Sequence, residues 1–141
     1  MSTKRYKPMF DKVFWFVWMP LIIYLLIMTV ISLFEPYAII VMVLTDLFCL
    51  FFMLSPFAGH VELRESSLYI RFGFILKREI AYNKIRELNK EKRFMTQSIP
   101  SLKNAMEHVN IKYNKYNIVA VSVIGNDELI EELNERIKLN K

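Results

Sequence analysis

A chain of 141 residues with 54% hydrophobic side chains and a net charge of +5 has room for one small soluble core beside its apolar segments, and no more. Its single cysteine, Cys49, excludes an intrachain disulfide. The averages conceal two unlike halves, a first that is nearly uncharged and a second of mixed charge.

Residues 1–12 carry Lys4, Arg5, Lys7 and Lys12 and lead into two apolar runs, 13–34 and 38–58, with only Glu35-Pro36-Tyr37 between them. Each run is close to the ~20 residues a helix needs to cross a bilayer core, so the pair predicts a membrane helical hairpin over 13–58. Short basic flanks stay cytoplasmic. The basic start, together with Arg64, Arg71, Lys77 and Arg78 after the second run, predicts a multi-pass protein of the bacterial cell membrane with both termini inside. Trp15 and Trp18 fall near the inner interface and Tyr37 near the outer one. A cleaved signal peptide is rejected, because the first run is too long, lacks a small-residue cleavage site and leads straight into another span.

Pro20 lies early in the first run, where bilayer helices tolerate proline. Asp46, next to Thr45 in the second, is the candidate intramembrane contact. A carboxylate at that depth is costly and calls for a hydrogen bond or a proton. Thr29 or Ser32 across the hairpin can supply the bond, as can a second copy of the chain in a homo-oligomer. Two helices alone enclose no transport path.

From His60 onward the pattern changes to a period of two, the mark of half-buried strands. A strand begins at Val61, and 68–72 alternates with Leu68, Ile70 and Phe72 on one face. Gly73 separates it from a hairpin partner over 74–80. A short strand at 85–88 follows the Tyr82-Asn83-Lys84 turn, 90–93 is too charged for a core, and Phe94 and Met95 are placed back in the sheet. Residues 108–113 turn Val109, Ile111 and Tyr113 inward and His108 outward. A β-branched run over 118–124 ends at Gly125. Asn126 or Asp127 then caps a helix whose Leu129, Ile130, Leu133 and Ile137 form one apolar stripe. Six or seven short strands and one helix predict a small curved sheet plugged by a C-terminal helix over 60–141.

Signs of catalysis are missing. His60 and His108 belong to no triad or metal-ligand spacing, Gly59, Gly73 and Gly125 make no phosphate loop, and the serines sit in turns. No cofactor is expected, and no enzyme. The candidate contact residues are instead basic: Lys77, Arg78, Lys84, Arg86, Lys90, Lys92 and Arg93. They can meet anionic lipid or a protein partner, although Glu79, Glu87 and Glu91 dilute their field. Nucleic acid is not expected, for want of an aromatic and basic reading platform.

The stretches Leu63-Arg64-Glu65-Ser66-Ser67-Leu68-Tyr69-Ile70 and Phe72-Gly73-Phe74-Ile75, then Arg78-Glu79-Ile80 with Tyr82-Asn83-Lys84-Ile85, resemble bacterial PH-like domains. Ile111-Lys112-Tyr113 and the helix from Glu128 to Leu133 resemble the YyaB-like subgroup, in which two membrane spans precede the module. The chain departs from that pattern at Glu107-His108 and at Ser122-Val123. The resemblance implies an α+β fold, a partly open β-barrel closed at one end by its C-terminal helix. It also implies a non-enzymatic interaction module at the cytoplasmic face, with bacteriocin self-immunity as one role. An accessory subunit of a transporter or envelope-stress complex, assembled through Asp46, is the alternative.

Overall fold

A computed structural model describes residues 2–140. The chain starts with a strand, β1 (Lys4–Tyr6), and only then enters two long helices, α1 (Lys12–Ser32) and α2 (Pro36–Leu54). A 3₁₀ turn, Ser55–Ala58, leads into six further strands: β2 (His60–Leu63), β3 (Ser67–Arg71), β4 (Lys77–Ala81), β5 (Ile85–Lys92), β6 (Glu107–Tyr113) and β7 (Asn117–Val121). The helix α3 (Asn126–Leu139) ends the described chain.

Asp11 starts α1 as its N-cap. Its Oδ1 accepts from the amides of Val13 (2.9 Å) and Phe14 (3.4 Å), which have no partner inside the helix. Pro36 opens α2 at its first turn, where the missing N–H costs nothing and the fixed φ is helical. The turn is therefore Leu33 to Glu35, two residues earlier than the pattern suggested. Both helices are long and apolar enough to cross a membrane. In α1 only Phe14 and Ser32 are buried, and in α2 no residue is. A core helix of a water-soluble protein would bury a stripe, and these bury almost nothing.

The strands form two antiparallel sheets, ordered β1-β2-β3-β4 and β5-β6-β7. The segment set apart as residues 1–12 thus supplies an edge strand: Lys4 pairs with Leu63, Arg5 with Glu62 and Tyr6 with Val61. Immediately afterwards the same segment changes sheets. Lys7 O accepts from Ile124 N at 3.0 Å, and Met9 N donates to Ser122 O at 2.9 Å. One side of the barrel is closed in this way, by residues that precede the helical hairpin. The Tyr82–Lys84 turn forms the opposite corner, from β4 into β5.

Val61, Leu63, Leu68, Ile70, Ile111 and Val119 are fully buried between the sheets. Leu129 and Leu133 of α3 plug the barrel end, with Ile137 beside them and Ile130 half-buried. Full burial of each such side chain stabilises by about 1.5–3 kcal/mol. The sequence predicts two apolar helices and then a small, partly open barrel of six or seven strands capped by a C-terminal helix, and the seven strands in two sheets with a terminal helix agree with it.

Particular elements differ from the pattern reading. Residues 74–76 are a turn, and β4 begins only at Lys77, because Gly73 and Phe74 are held against the hairpin. A Cβ on Gly73 would collide with Ser55 Oγ. Residues 90–92 continue β5, whose side chains are mostly exposed, so charge is tolerated there. Phe94 and Met95 do not rejoin the sheet and are exposed. His108, expected outward, is fully buried. The 93–106 connection returns to bridge Leu102 onto β7, and Ser98 Oγ accepts from Ala120 N there. Helix α3 begins at Asn126, with Gly125 as its N-cap residue at φ 89°, a left-handed conformation that favours glycine. The Asn126 side chain caps the preceding strand instead, accepting from Val123 N at 3.0 Å.

Candidate functional site

The seven basic candidates do not converge on one patch. Lys77 starts β4 opposite Arg71, so two like charges flank the β3–β4 turn. Arg78 turns inward and donates to the Tyr113 hydroxyl at 2.5 Å. Lys84 and Arg86 lie at the other end of the barrel, where Arg86 donates to Asn114 O at 3.4 Å. An open hollow of about 610 Å³ there is lined by Arg86, Lys112, Lys115 and Tyr116, among others. Lys112 is committed to Glu87 at 2.7 Å, and this contact, followed by a bond from Asn89, holds the Glu87 carboxyl below its usual range. Lys90 is clamped between Asp127 (2.8 Å) and Glu107 (3.1 Å), and these carboxylates push its ammonium up. Lys92 is exposed opposite Glu107, and Arg93 lies 3.9 Å from Glu91. Lys77, Lys92 and Arg93 remain the candidates free to meet an anionic surface near the hairpin, with Lys84 and Arg86 at the far end.

Asp46 meets Thr29 across the hairpin. Thr29 Oγ1 lies 2.7 Å from Asp46 Oδ2 and 2.8 Å from Leu25 O, while Ser32 turns to Thr29 O at 2.7 Å. The hydroxyl has one proton to share between these two acceptors. Asp46 Oδ1 is buried with no protein partner. The residue opens onto a groove of about 260 Å³ lined by Trp18, Leu25, Cys49, Leu50 and Met53, among others. That groove is apolar apart from the carboxyl, and such a surface suits an apolar partner carrying one hydrogen-bond donor.

The histidines lack catalytic company. His60 is buried, with Nε2 3.2 Å from Glu62 Oε1 and Nδ1 3.0 Å from Arg5 Nη2. His108 Nδ1 faces Met106 O at 3.0 Å, and its Nε2 is unpartnered. Among the described residues, no three His, Cys, Asp or Glu side chains gather as a metal site.

Two residues outside the candidate set organise the module. Arg136, 1% exposed, donates from Nη1 to Leu63 O (3.3 Å) and Arg64 O (2.9 Å), from Nη2 to Ser2 O (2.9 Å), and to Glu132 Oε1 (3.0 Å). Those bonds hold the Glu132 carboxyl below its usual range. Lys4 completes the cluster by reaching Glu128 at 2.6 Å and Glu132 at 3.4 Å. Arg136 directly precedes Ile137 on the apolar stripe of α3, and that position was the available signal. Asp11, besides capping α1, accepts from Met106 N at 2.6 Å through Oδ2. An acidic residue just before an apolar run is a recognised helix start.

The connections nearest the hairpin are the β3–β4 turn and residues 93–106. Phe74 packs its ring 5.1 Å from that of Phe51 in α2, and Phe74 N donates to Ser55 Oγ at 3.3 Å. Phe94, Lys103, Asn104 and Ala105 line a hollow of about 230 Å³ with Val13, Phe14, Val17 and Trp18 of α1. Lys103 donates to Phe94 O at 2.7 Å, and partial burial lowers its ammonium pKa.

The family model described as "Bacterial PH domain" matches residues 61–137, more than half of the chain, and the chain belongs to that family. No curated protein matches the chain. Nor does any solved structure. The matched stretch omits β1, although β1 is a strand of the same sheet.

Proposed function

We propose that this bacterial PH-domain protein is a non-enzymatic, membrane-anchored interaction module at the cytoplasmic face of the cell membrane. The observation that carries the reading is the suture at the hairpin's base. Tyr6 pairs with Val61 and Lys7 with Ile124, so the barrel grips the chain both before α1 and after α2. A module tied at both ends of its anchor cannot diffuse from the bilayer, and it meets only partners that come to that surface. Basic flanks at Lys4, Arg5, Lys7 and Lys12 support the cytoplasmic side. PH domains are generally non-catalytic, which supports the non-enzymatic reading.

The sharper form is self-immunity, in which the barrel shields a membrane target from a bacteriocin. A second reading, an accessory subunit of a transporter or envelope-stress complex, is favoured by Asp46, which lines an apolar groove and whose Oδ1 is buried without a partner. The full chain with Asp46→Leu separates the two. Protection of a sensitive bacterium that survives this change supports immunity through the barrel. Loss of a co-purifying membrane complex supports the accessory role. A chain with charge-reversed Lys84 and Arg86 that keeps both protection and assembly would sink the barrel as the contact surface.

A further inference from the structure

We propose that the barrel is seated in the bilayer at two further points, the tips of the β3–β4 turn and of the 93–106 connection. On this reading both tips dip into the headgroup layer of an anionic membrane on either side of the hairpin. The inference rests on the membrane anchoring proposed above and adds to it where the barrel itself meets lipid.

Three observations carry it. First, the tips present large apolar side chains that nothing in the molecule covers: Ile75 is 75% exposed and Met95 79%, with Leu76 and Phe94 beside them. Clustered apolar exposure of this kind marks a contact surface. Second, each tip is continuous with one of the two helices. Phe74 packs at a tilt against Phe51 near the end of α2, and Phe94 shares a hollow with Phe14 and Trp18 at the start of α1. Phe74 and Phe94 therefore stand where the helices meet the barrel.

Third, four backbone carbonyls of the tips already have donors. In a headgroup layer that thins toward hydrocarbon, an open carbonyl is a cost. Arg71 donates through Nε to Gly73 O (2.9 Å) and through Nη2 to Phe74 O (3.2 Å), while Phe72 N donates to Leu76 O (2.9 Å). Lys103 donates to Phe94 O in the other tip. Cations that close the carbonyls of an apolar tip, with Lys77, Lys92 and Arg93 exposed nearby, suit phosphate headgroups above and acyl chains below. A protein partner would cover the same side chains but would leave them out of reach of lipid-borne quenchers.

The test uses the full chain with Cys49→Ser, reconstituted in vesicles of phosphatidylglycerol and phosphatidylethanolamine. Single cysteines at Ile75→Cys, Met95→Cys, Ile23→Cys in mid-α1 and Tyr116→Cys in the β6–β7 turn carry a fluorophore. Quenching by lipids bearing a shallow or a deep nitroxide reports depth. The expected result is strong shallow quenching at 75 and 95, deep quenching at 23 and little of either at 116. If 23 is quenched while 75 or 95 behaves like 116, the two-point seating is overturned and the anchor stands. If 23 is not quenched, the anchoring reading fails and this inference falls with it.

Discussion

In the hairpin, two helices of 21 and 19 residues share a single side-chain hydrogen bond, Thr29 to Asp46, and leave nearly every apolar side chain facing outward. In the barrel, the apolar side chains face one another, so that Leu63, Ile111 and Leu133 have no exposed surface at all. The same kind of residue is thus used in opposite ways within one chain. The barrel carries its own solvent-excluding core, whereas the hairpin borrows its surroundings for that purpose, and lipid is the surroundings that fit. Perturbations should therefore divide cleanly between the halves.

The largest expected effect is Arg136→Ala. It takes the Arg136 donor from the carbonyls of Leu63 and Arg64, a loss of about 1–3 kcal/mol each, while Glu132 keeps Lys4. Urea unfolding of the full chain in detergent should lose the β signal early while the helical signal persists; simultaneous loss of both would show that the halves are not independent. Next is Gly73→Val, which forces the β3–β4 turn away from Ser55 at a cost of about 1–3 kcal/mol. Amide exchange should rise at Phe72 and Phe74 and stay unchanged in β6.

Within the hairpin the effects are smaller. A double-mutant cycle of Thr29→Val and Asp46→Leu should give a coupling of about 0.6 kcal/mol in bilayer unfolding, with no change in barrel stability. Smallest is the pH response of Glu132. Its folded pKa lies below the ordinary 4.5, chiefly because Arg136 donates to it. The stabilisation is complete above pH 4.5 and is lost as pH falls through the lower folded value. An acid titration should therefore weaken the barrel of the parent chain, and Glu132→Gln should flatten that slope.

The hairpin and the strand order after it were legible because each depends on local periodicity, twenty apolar residues in one case and alternation in the other. Leu68, Ile70, Val109 and Ile111 face inward as their spacing requires. What escaped depends on long-range pairing. Lys4-Arg5-Tyr6 is too short and polar to read as a strand, and its partner lies beyond both helices. His108 alternates outward, yet it is fully buried, with Nδ1 on Met106 O. The basic candidates were chosen by composition, which does not see that Lys90 is neutralised by Asp127 and Glu107.

The early position of β1 has a consequence for how the chain is made. Tyr6 leaves the ribosome before either helix, yet its partner Val61 comes after both, and Ile124, which bonds Lys7, comes later still. The first strand therefore waits, unpaired, while both helices are made. On the proposed anchoring, a chain that crossed the bilayer only once would leave β1 and β2 on opposite sides, and their pairing requires both crossings.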